Sequence, residues 1–187
     1  TLSVGANAAP VVDDLNGDGL LDLLVGYVEE GGGGRLAHFA NTGSPTSPVW
    51  TRRTDHYAGV TEEQGVQPTF LDLDGDGDRD LLLGVGGELL WYEREGVIWS
   101  RHASDPVGYG GGSSAASPAV GDWNGDGVPD LVTGEHWGGL RFFQGIPPAS
   151  WSEEVFAFPF ELAGDTAPAL ADWDDDGDLD LLLGQAH

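Results

Sequence analysis

One acidic nonapeptide recurs four times along this chain, and it restricts the possible folds more than any other feature. The copies read Asp14-Leu15-Asn16-Gly17-Asp18-Gly19-Leu20-Leu21-Asp22, Asp72-Leu73-Asp74-Gly75-Asp76-Gly77-Asp78-Arg79-Asp80, Asp122-Trp123-Asn124-Gly125-Asp126-Gly127-Val128-Pro129-Asp130 and Asp172-Trp173-Asp174-Asp175-Asp176-Gly177-Asp178-Leu179-Asp180. Each puts oxygen-bearing side chains at positions 1, 3, 5 and 9, with Gly at position 6. Carboxylates packed this closely repel one another unless a cation sits among them, and a hard all-oxygen donor set calls for Ca²⁺.

The copies begin at residues 14, 72, 122 and 172, a period near fifty, and the likeness extends beyond the loops. A proline stands four residues ahead of each: Pro10, Pro68, Pro118 and Pro168. An aliphatic run closed by glycine follows each: Leu23-Leu24-Val25-Gly26, Leu81-Leu82-Leu83-Gly84, Leu131-Val132-Thr133-Gly134 and Leu181-Leu182-Leu183-Gly184. A third apolar segment comes at residues 35–39, 88–92 and 140–143. A weaker fourth lies near Trp50, near Ile98-Trp99 and across residues 156–162.

Each repeat therefore reads as about four short strands, the first two joined by the acidic loop. Continuous aliphatic runs suit strands buried on both faces. Four-stranded units stacked radially make an all-β chain, a β-propeller, with a β-solenoid as the less fitting alternative. The repeats run approximately 10–67, 68–117, 118–167 and 168–187, the last truncated, in a single domain or segment. Residues 1–4 read as the outer strand of a preceding or last blade. That gives a partial propeller of about 3.5 blades, completed by further residues or a second copy; the alternative is a closed four-bladed ring. The absence of Met, including at position 1, suggests a processed or partial product.

These residues resemble the FG-GAP/VCBS repeats of integrin α-subunit propellers and of many secreted proteins. The shared string is Pro-x-x-x-Asp-x-Asn/Asp-x-Asp-Gly-x-x-Asp-Leu-(apolar)₂-Gly. The resemblance implies a multi-bladed propeller, commonly seven-bladed, with about four Ca²⁺ here, one per loop. Carried onto this chain, it makes the side-chain ligands Asp14, Asn16, Asp18 and Asp22; Asp72, Asp74, Asp76 and Asp80; Asp122, Asn124, Asp126 and Asp130; and Asp172, Asp174, Asp176 and Asp180. The backbone carbonyls of Leu20, Asp78, Val128 and Asp178 complete each shell.

The loop has two other possible readings. An EF-hand needs Glu at position 12 between helices, but that position holds Val25, Leu83, Thr133 and Leu183. Asp-Gly and Asn-Gly are also ordinary turn formers. Four copies in register, each with Asp at position 9, favour the metal.

Acidic residues outnumber basic ones 32 to 7, for a formal charge of −25, and every basic residue is arginine. Four Ca²⁺ would reduce this only to about −17. Such a surface argues against nucleic acid and anionic membranes, whose phosphates need cationic contacts. It also suits a halophile or a high-GC genome. Cys is absent, so disulfides are excluded, and no apolar run is long enough for a membrane span.

No catalytic constellation stands out. His38, His56, His102, His136 and His187 occupy no equivalent positions and have no zinc-ligand spacing. Glu135-His136-Trp137 follows an expected strand and reads as a loop at a propeller face. Gly31–34 and 110–112 lack the context of a phosphate loop and read as surface loops. Trp123 and Trp173 stand where the other repeats have Leu15 and Leu73, so all four positions are expected to pack between blades. Trp91-Tyr92, Trp99, Trp137 and Trp151 are less regular, and exposed members would suit a sugar or a protein partner.

The expected function is a non-catalytic, calcium-stabilised extracellular propeller mediating protein–protein interaction, adhesion or assembly. It would work outside the cell, at its surface or in a calcium-rich lumen. The alternative is a lectin-like propeller that binds glycan; a polysaccharide lyase or related enzyme is less well supported.

Overall fold

The computed structural model describes residues 2–103, 105–111, 116–147, 150–155, 162 and 164–185. Its strands fall where the repeat places most of them. β1 (Ala6–Asp13), β2 (Asp22–Val28), β3 (Gly34–Asn41) and β4 (Trp50–Thr54) form one sheet in that order. β5 (Val66–Leu71), β6 (Asp80–Val85), β7 (Glu88–Glu95) and β8 (Ile98–Arg101) form a second. β9 (Ala116–Gly121), β10 (Asp130–Glu135), β11 (Leu140–Ile146) and β12 (Ser150–Glu154) form a third, and β13 (Thr166–Ala171) pairs with β14 (Asp180–Gln185) in a two-stranded sheet. The fold is all-β, built of blade-like antiparallel sheets. The only helical elements among the described residues are two short 3₁₀ turns, Tyr57–Gly59 and His136–Gly138.

The chain divides into two compact units, Thr1–Pro68 and Thr69–His187, with the boundary inside β5. The core of the first gathers Val25, Tyr27, Ala37 and Phe39, with Val4, Leu23 and Trp50 packed on it. That of the second joins Leu71, Leu73, Leu82 and Leu89 to Val107, Tyr109, Ala116, Leu131 and Phe143. The aliphatic runs of the second and third repeats are buried as expected, with no exposed surface at Leu81, Leu82, Leu83 and Leu131, whereas Leu181, Leu182 and Leu183 of the fourth are half-buried. Burying a leucine is worth about 1.5–3 kcal/mol, so each fully buried run stabilises its sheet by several kcal/mol.

Successive repeats meet where motif glycine and motif proline come together. A Cβ built on Gly84 would lie 1.9 Å from the carbonyl oxygen of Ala116 and 2.9 Å from Cδ of Pro118. On Gly134 it would lie 2.1 Å from the oxygen of Thr166 and 2.8 Å from Cδ of Pro168. Within the first unit, Gly26 stands in the same relation to Val66 (2.1 Å) and Pro68 (2.9 Å). The second strand of one repeat thus lies so near the first strand of the next that only glycine fits. Proline is tolerated opposite because the ring itself fills the contact.

Two expectations about outer strands are corrected. Residues 2–5 form no strand; Val4 packs against the first core, and the carbonyl of Ser3 accepts from Arg52 Nη1 at 3.4 Å. Residue 1 lies outside the described residues. The outer strand of the third repeat is β12; of residues 156–162, where it was expected, all but 162 lie outside the described residues. Trp151 sets its position by packing on the second core.

Candidate metal centre

The acidic loops are closed by their own strands. The residue before position 1 pairs with position 9 across the ladder, as Asp13 with Asp22, Gly121 with Asp130 and Ala171 with Asp180. Between those ends, side-chain oxygens take up the backbone N–H groups that a tight turn leaves without partners. Position 1 accepts most. Asp14 receives the amides of Gly17 (2.8 Å), Asp18 (3.2 Å) and Gly19 (2.8 Å). Asp72 receives Gly75 and Gly77, Asp122 receives Asp126 and Gly127, and Asp172 receives Asp176 and Gly177, all within 2.7–3.1 Å. The amide of Gly19, with those of its neighbours, holds the Asp14 carboxyl below the ordinary aspartate range.

Position 3 accepts from the amide of position 5: Asn16 from Asp18, Asp74 from Asp76 and Asn124 from Asp126. Position 5 accepts in turn from the amide of position 7: Asp18 from Leu20, Asp76 from Asp78, Asp126 from Val128 and Asp176 from Asp178. The residues expected to offer carbonyls are therefore pinned through their own N–H groups. Gly at position 6 has positive φ in all four copies: 82° at Gly19, 95° at Gly77, 86° at Gly127 and 96° at Gly177. A side chain there would be strained.

Position 9 has a role the repeat did not announce. Asp22, Asp80 and Asp130 are almost wholly buried, at 0%, 1% and 0% exposure. Asp80 Oδ2 accepts from the amide of Leu73 (3.0 Å), and Oδ1 from the amide of Arg94 in β7 (2.9 Å). Asp130 likewise takes the amides of Trp123 and, from β11, Gly145. In the first repeat Asp22 Oδ1 receives the amide of Asn41, while Oδ2 receives Asn16 Nδ2 and faces His38 Nε2, each at 3.1 Å. Asp180, more exposed, accepts from the amide of Trp173. Burial outweighs these bonds and raises the carboxyls of Asp80 and Asp130 above their ordinary value.

The donor set fits a divalent cation. Ligand oxygens of Asp72, Asp74 and Asp80 lie within 4.8 Å of one another, as do those of Asp172, Asp174 and Asp176. Asn16 and Asn124 replace one carboxylate in the other two loops. A carboxylate has about four lone-pair sites, so one amide on each oxygen does not exhaust it. The carboxyl of Asp74 is raised by burial, with the neighbouring charges of Asp76, Glu93 and Asp72 adding to the effect. A bound cation would relieve that repulsion.

Three of the histidines have side-chain partners, while His56 is exposed. His38 abuts Asp22, His102 pairs with Glu93 and stacks on Trp91, and His136 pairs with Asp165. His187 lies outside the described residues. Of the position-2 residues, Leu15 and Leu73 are buried and Trp123 is half-buried. Trp173, however, is 76% exposed, which corrects the expectation that it packs: no neighbouring strand covers that side of β13–β14 among the described residues. Trp137 is 75% exposed, at the centre of its 3₁₀ turn with φ 70°.

The model for the FG-GAP-like repeat matches residues 14–83 and again 72–133. Comparison with curated proteins found no match.

Proposed function

The chain belongs to the FG-GAP-like repeat family, and from that membership we propose that it is a stretch of Ca²⁺-stabilised β-propeller that binds protein partners or joins a larger assembly outside the cell, without catalysis. The observation that carries this reading is the hydrogen-bond scaffold of the loops. Positions 1, 3 and 5 are fixed by backbone amides before any ion arrives, so binding need order little more. Asp14, Asn16, Asp18 and Asp22, and their counterparts through Asp180, would hold the ion. Its charge would offset the clustered carboxylates and tie the first strand of each blade to the second. The Gly–Pro contacts between successive repeats support radial stacking, with about 3.5 blades in this chain. Weak oxygen sites of this kind fill near millimolar Ca²⁺, which favours the cell exterior or a Ca²⁺-rich lumen.

A second reading, glycan binding, has one specific support. Trp137 exposes its ring beside the His136–Asp165 pair, an aromatic platform flanked by polar groups. A glycan array tests it.

The calcium reading is tested by calorimetric titration of chelator-stripped protein, followed by thermal melts. Ca²⁺ is expected to bind at about four sites. At a hundred times Kd it should raise stability by about 2.7 kcal/mol per site. No binding heat and an unchanged melt with and without chelator would reject it.

A further inference from the structure

The contact that joins successive repeats is made three times within this chain, and one half of it is left over at each end of the series. Gly26, Gly84 and Gly134 are buried, as are Pro68, Pro118 and Pro168 that close over them. Gly184 and Pro10, the remaining members of the two sets, are exposed. A Cβ on Gly184 would meet nothing nearer than the oxygen of Ala167, its own ladder partner, at 3.6 Å. At the other three glycines the same space holds a carbonyl from the next repeat, from the residue two before the proline. In β1 that residue is Ala8.

The surroundings of both leftover halves are apolar and uncovered. Leu181, Leu182 and Leu183 are half-buried, where Leu81, Leu82 and Leu83 are fully buried. Trp173 is 76% exposed, where its counterpart Leu73 is at 5%. On β1, Val12 is 51% exposed, and Ala6, Ala8 and Pro10 are exposed as well. In a chain of charge −25 these strands are nearly neutral: β1 and β14 hold one acid each, Asp13 and Asp180, and β13 holds none.

We propose that the β13–β14 face of one molecule receives β1 of a second copy, with Pro10 and the Ala8 carbonyl of that copy closing over Gly184. The warrant is continuity with the internal contact: the same glycine, the same proline spacing and the same aliphatic strand are present, and only the partner strand is missing. β1 departs from β9 and β13 in one respect, a register shift between Ala6 and Ala9 with Asn7 at φ 54°. Seating it requires that stretch to take the regular course of the other two. The contact is heterologous, each molecule offering a different face. Of the proposed calcium ligands only Asp180, at the start of β14, lies on either face, so association and calcium binding are measured separately.

Sedimentation equilibrium of the whole chain, with Ca²⁺ and with chelator, tests this. The wild type is expected to associate with rising concentration. Gly184→Ala should leave the melt of the chain unchanged, since its Cβ has room, yet weaken association at least about tenfold by striking the incoming carbonyl. Val12→Glu should do the same from the other face. Mixing the two variants should restore a 1:1 pair, because each retains the face the other has lost. A wild type that stays monomeric overturns the proposal, whether the faces close within one chain or await other blades. Variants that associate like the wild type, or a mixture that stays monomeric, overturn it too. Loss of Ca²⁺ binding with association intact would count against the calcium reading alone.

Discussion

The backbone amide of Arg94 donates to Oδ1 of Asp80 at 2.9 Å, binding the third strand of its sheet to the last residue of the acidic loop. Asn41 and Gly145 do the same to Asp22 and Asp130. The carboxylate at position 9 therefore closes the loop through one oxygen and braces the sheet through the other.

Replacing Asp80 with Ala should then destabilise the protein even in chelator. Two N–H groups, of Leu73 and Arg94, lose their acceptor, and leaving a buried donor unsatisfied costs about 1–3 kcal/mol. Asp80→Asn, which keeps one acceptor oxygen, should cost roughly half as much. Hydrogen exchange at the Arg94 amide reads the effect directly. Protection unchanged in Asp80→Ala would mean that the brace contributes nothing.

Gly134 and Gly184 hold equivalent places in their repeats but face different surroundings. Gly134→Ala would drive a methyl to 2.1 Å from the Thr166 oxygen, so β10 and β13 must separate. Overpacking of this kind costs about 1–3 kcal/mol, and backbone on the receiving side puts it at the upper end. Gly184→Ala meets only ordinary contact at 3.6 Å and should leave the melting temperature of the isolated chain where it was. Equal destabilisation by both would show that backbone freedom, not space, explains these glycines.

What could be read in advance, and what could not, follows from the distance over which each feature is decided. Positions 1, 3 and 5 bond to amides two to five residues away, so the loop is written in one short stretch. The brace from position 9 reaches 19, 14 and 15 residues onward, to Asn41, Arg94 and Gly145, and no local pattern marks its partners. Its one sequence signal was an Asp opening each aliphatic run, a charge placed where burial was due. β12 was missed because an outer strand is half solvent-exposed and carries no continuous apolar run: Ser150–Glu154 holds one large apolar residue, Trp151. Trp173 was misjudged for the converse reason. Its equivalence to Leu73 fixes where the side chain stands, but its burial depends on what lies beyond its own repeat.

Arg141 supplies a pH-dependent element. Its guanidinium donates to both oxygens of Glu153, at 2.7 and 3.0 Å, and to the carbonyl of Tyr109 at 2.6 Å, over whose ring it lies. The Arg141 hydrogen bonds hold the Glu153 carboxyl below its ordinary 4.5. A carboxyl lowered in the folded state adds stability that is present above that ordinary value and is lost as pH falls through the folded one. Glu153 is exposed, so solvent screening limits this part to about 0–1 kcal/mol. Melts of wild type and Arg141→Met should differ most near pH 7. The gap should narrow below about pH 4, leaving the pH-independent loss of the Tyr109 contact. A gap constant from pH 7 to pH 3 would rule the Glu153 pair out as its source.

Thr133 and Thr166 separate two uses of a buried hydroxyl. Thr133 has no exposed surface, and its Oγ1 finds no hydrogen-bond partner among the described residues; the equivalent positions hold Val25, Leu83 and Leu183. Thr166 Oγ1 accepts the amide of Glu135 at 3.0 Å and donates to the carbonyl of Gly139 at 2.8 Å, so it links β13 to the turn that follows β10. Exchanging Thr for Val swaps the hydroxyl for a methyl of similar size, so the outcome turns on hydrogen bonding rather than volume. At 133 the exchange removes a desolvated group that receives nothing in return and should stabilise by about 1 kcal/mol, or some 2–4 °C in melting temperature. At 166 it removes the hydroxyl's bonds to the Glu135 amide and the Gly139 carbonyl, though that amide keeps the Gly139 carbonyl at 2.9 Å, and should destabilise by about 0.5–1.5 kcal/mol. Parallel melts of Thr133→Val and Thr166→Val should therefore move in opposite directions. A fall at both positions would mean that the Thr133 hydroxyl is bonded after all, through a buried water, and that the third repeat keeps its threonine for that bond.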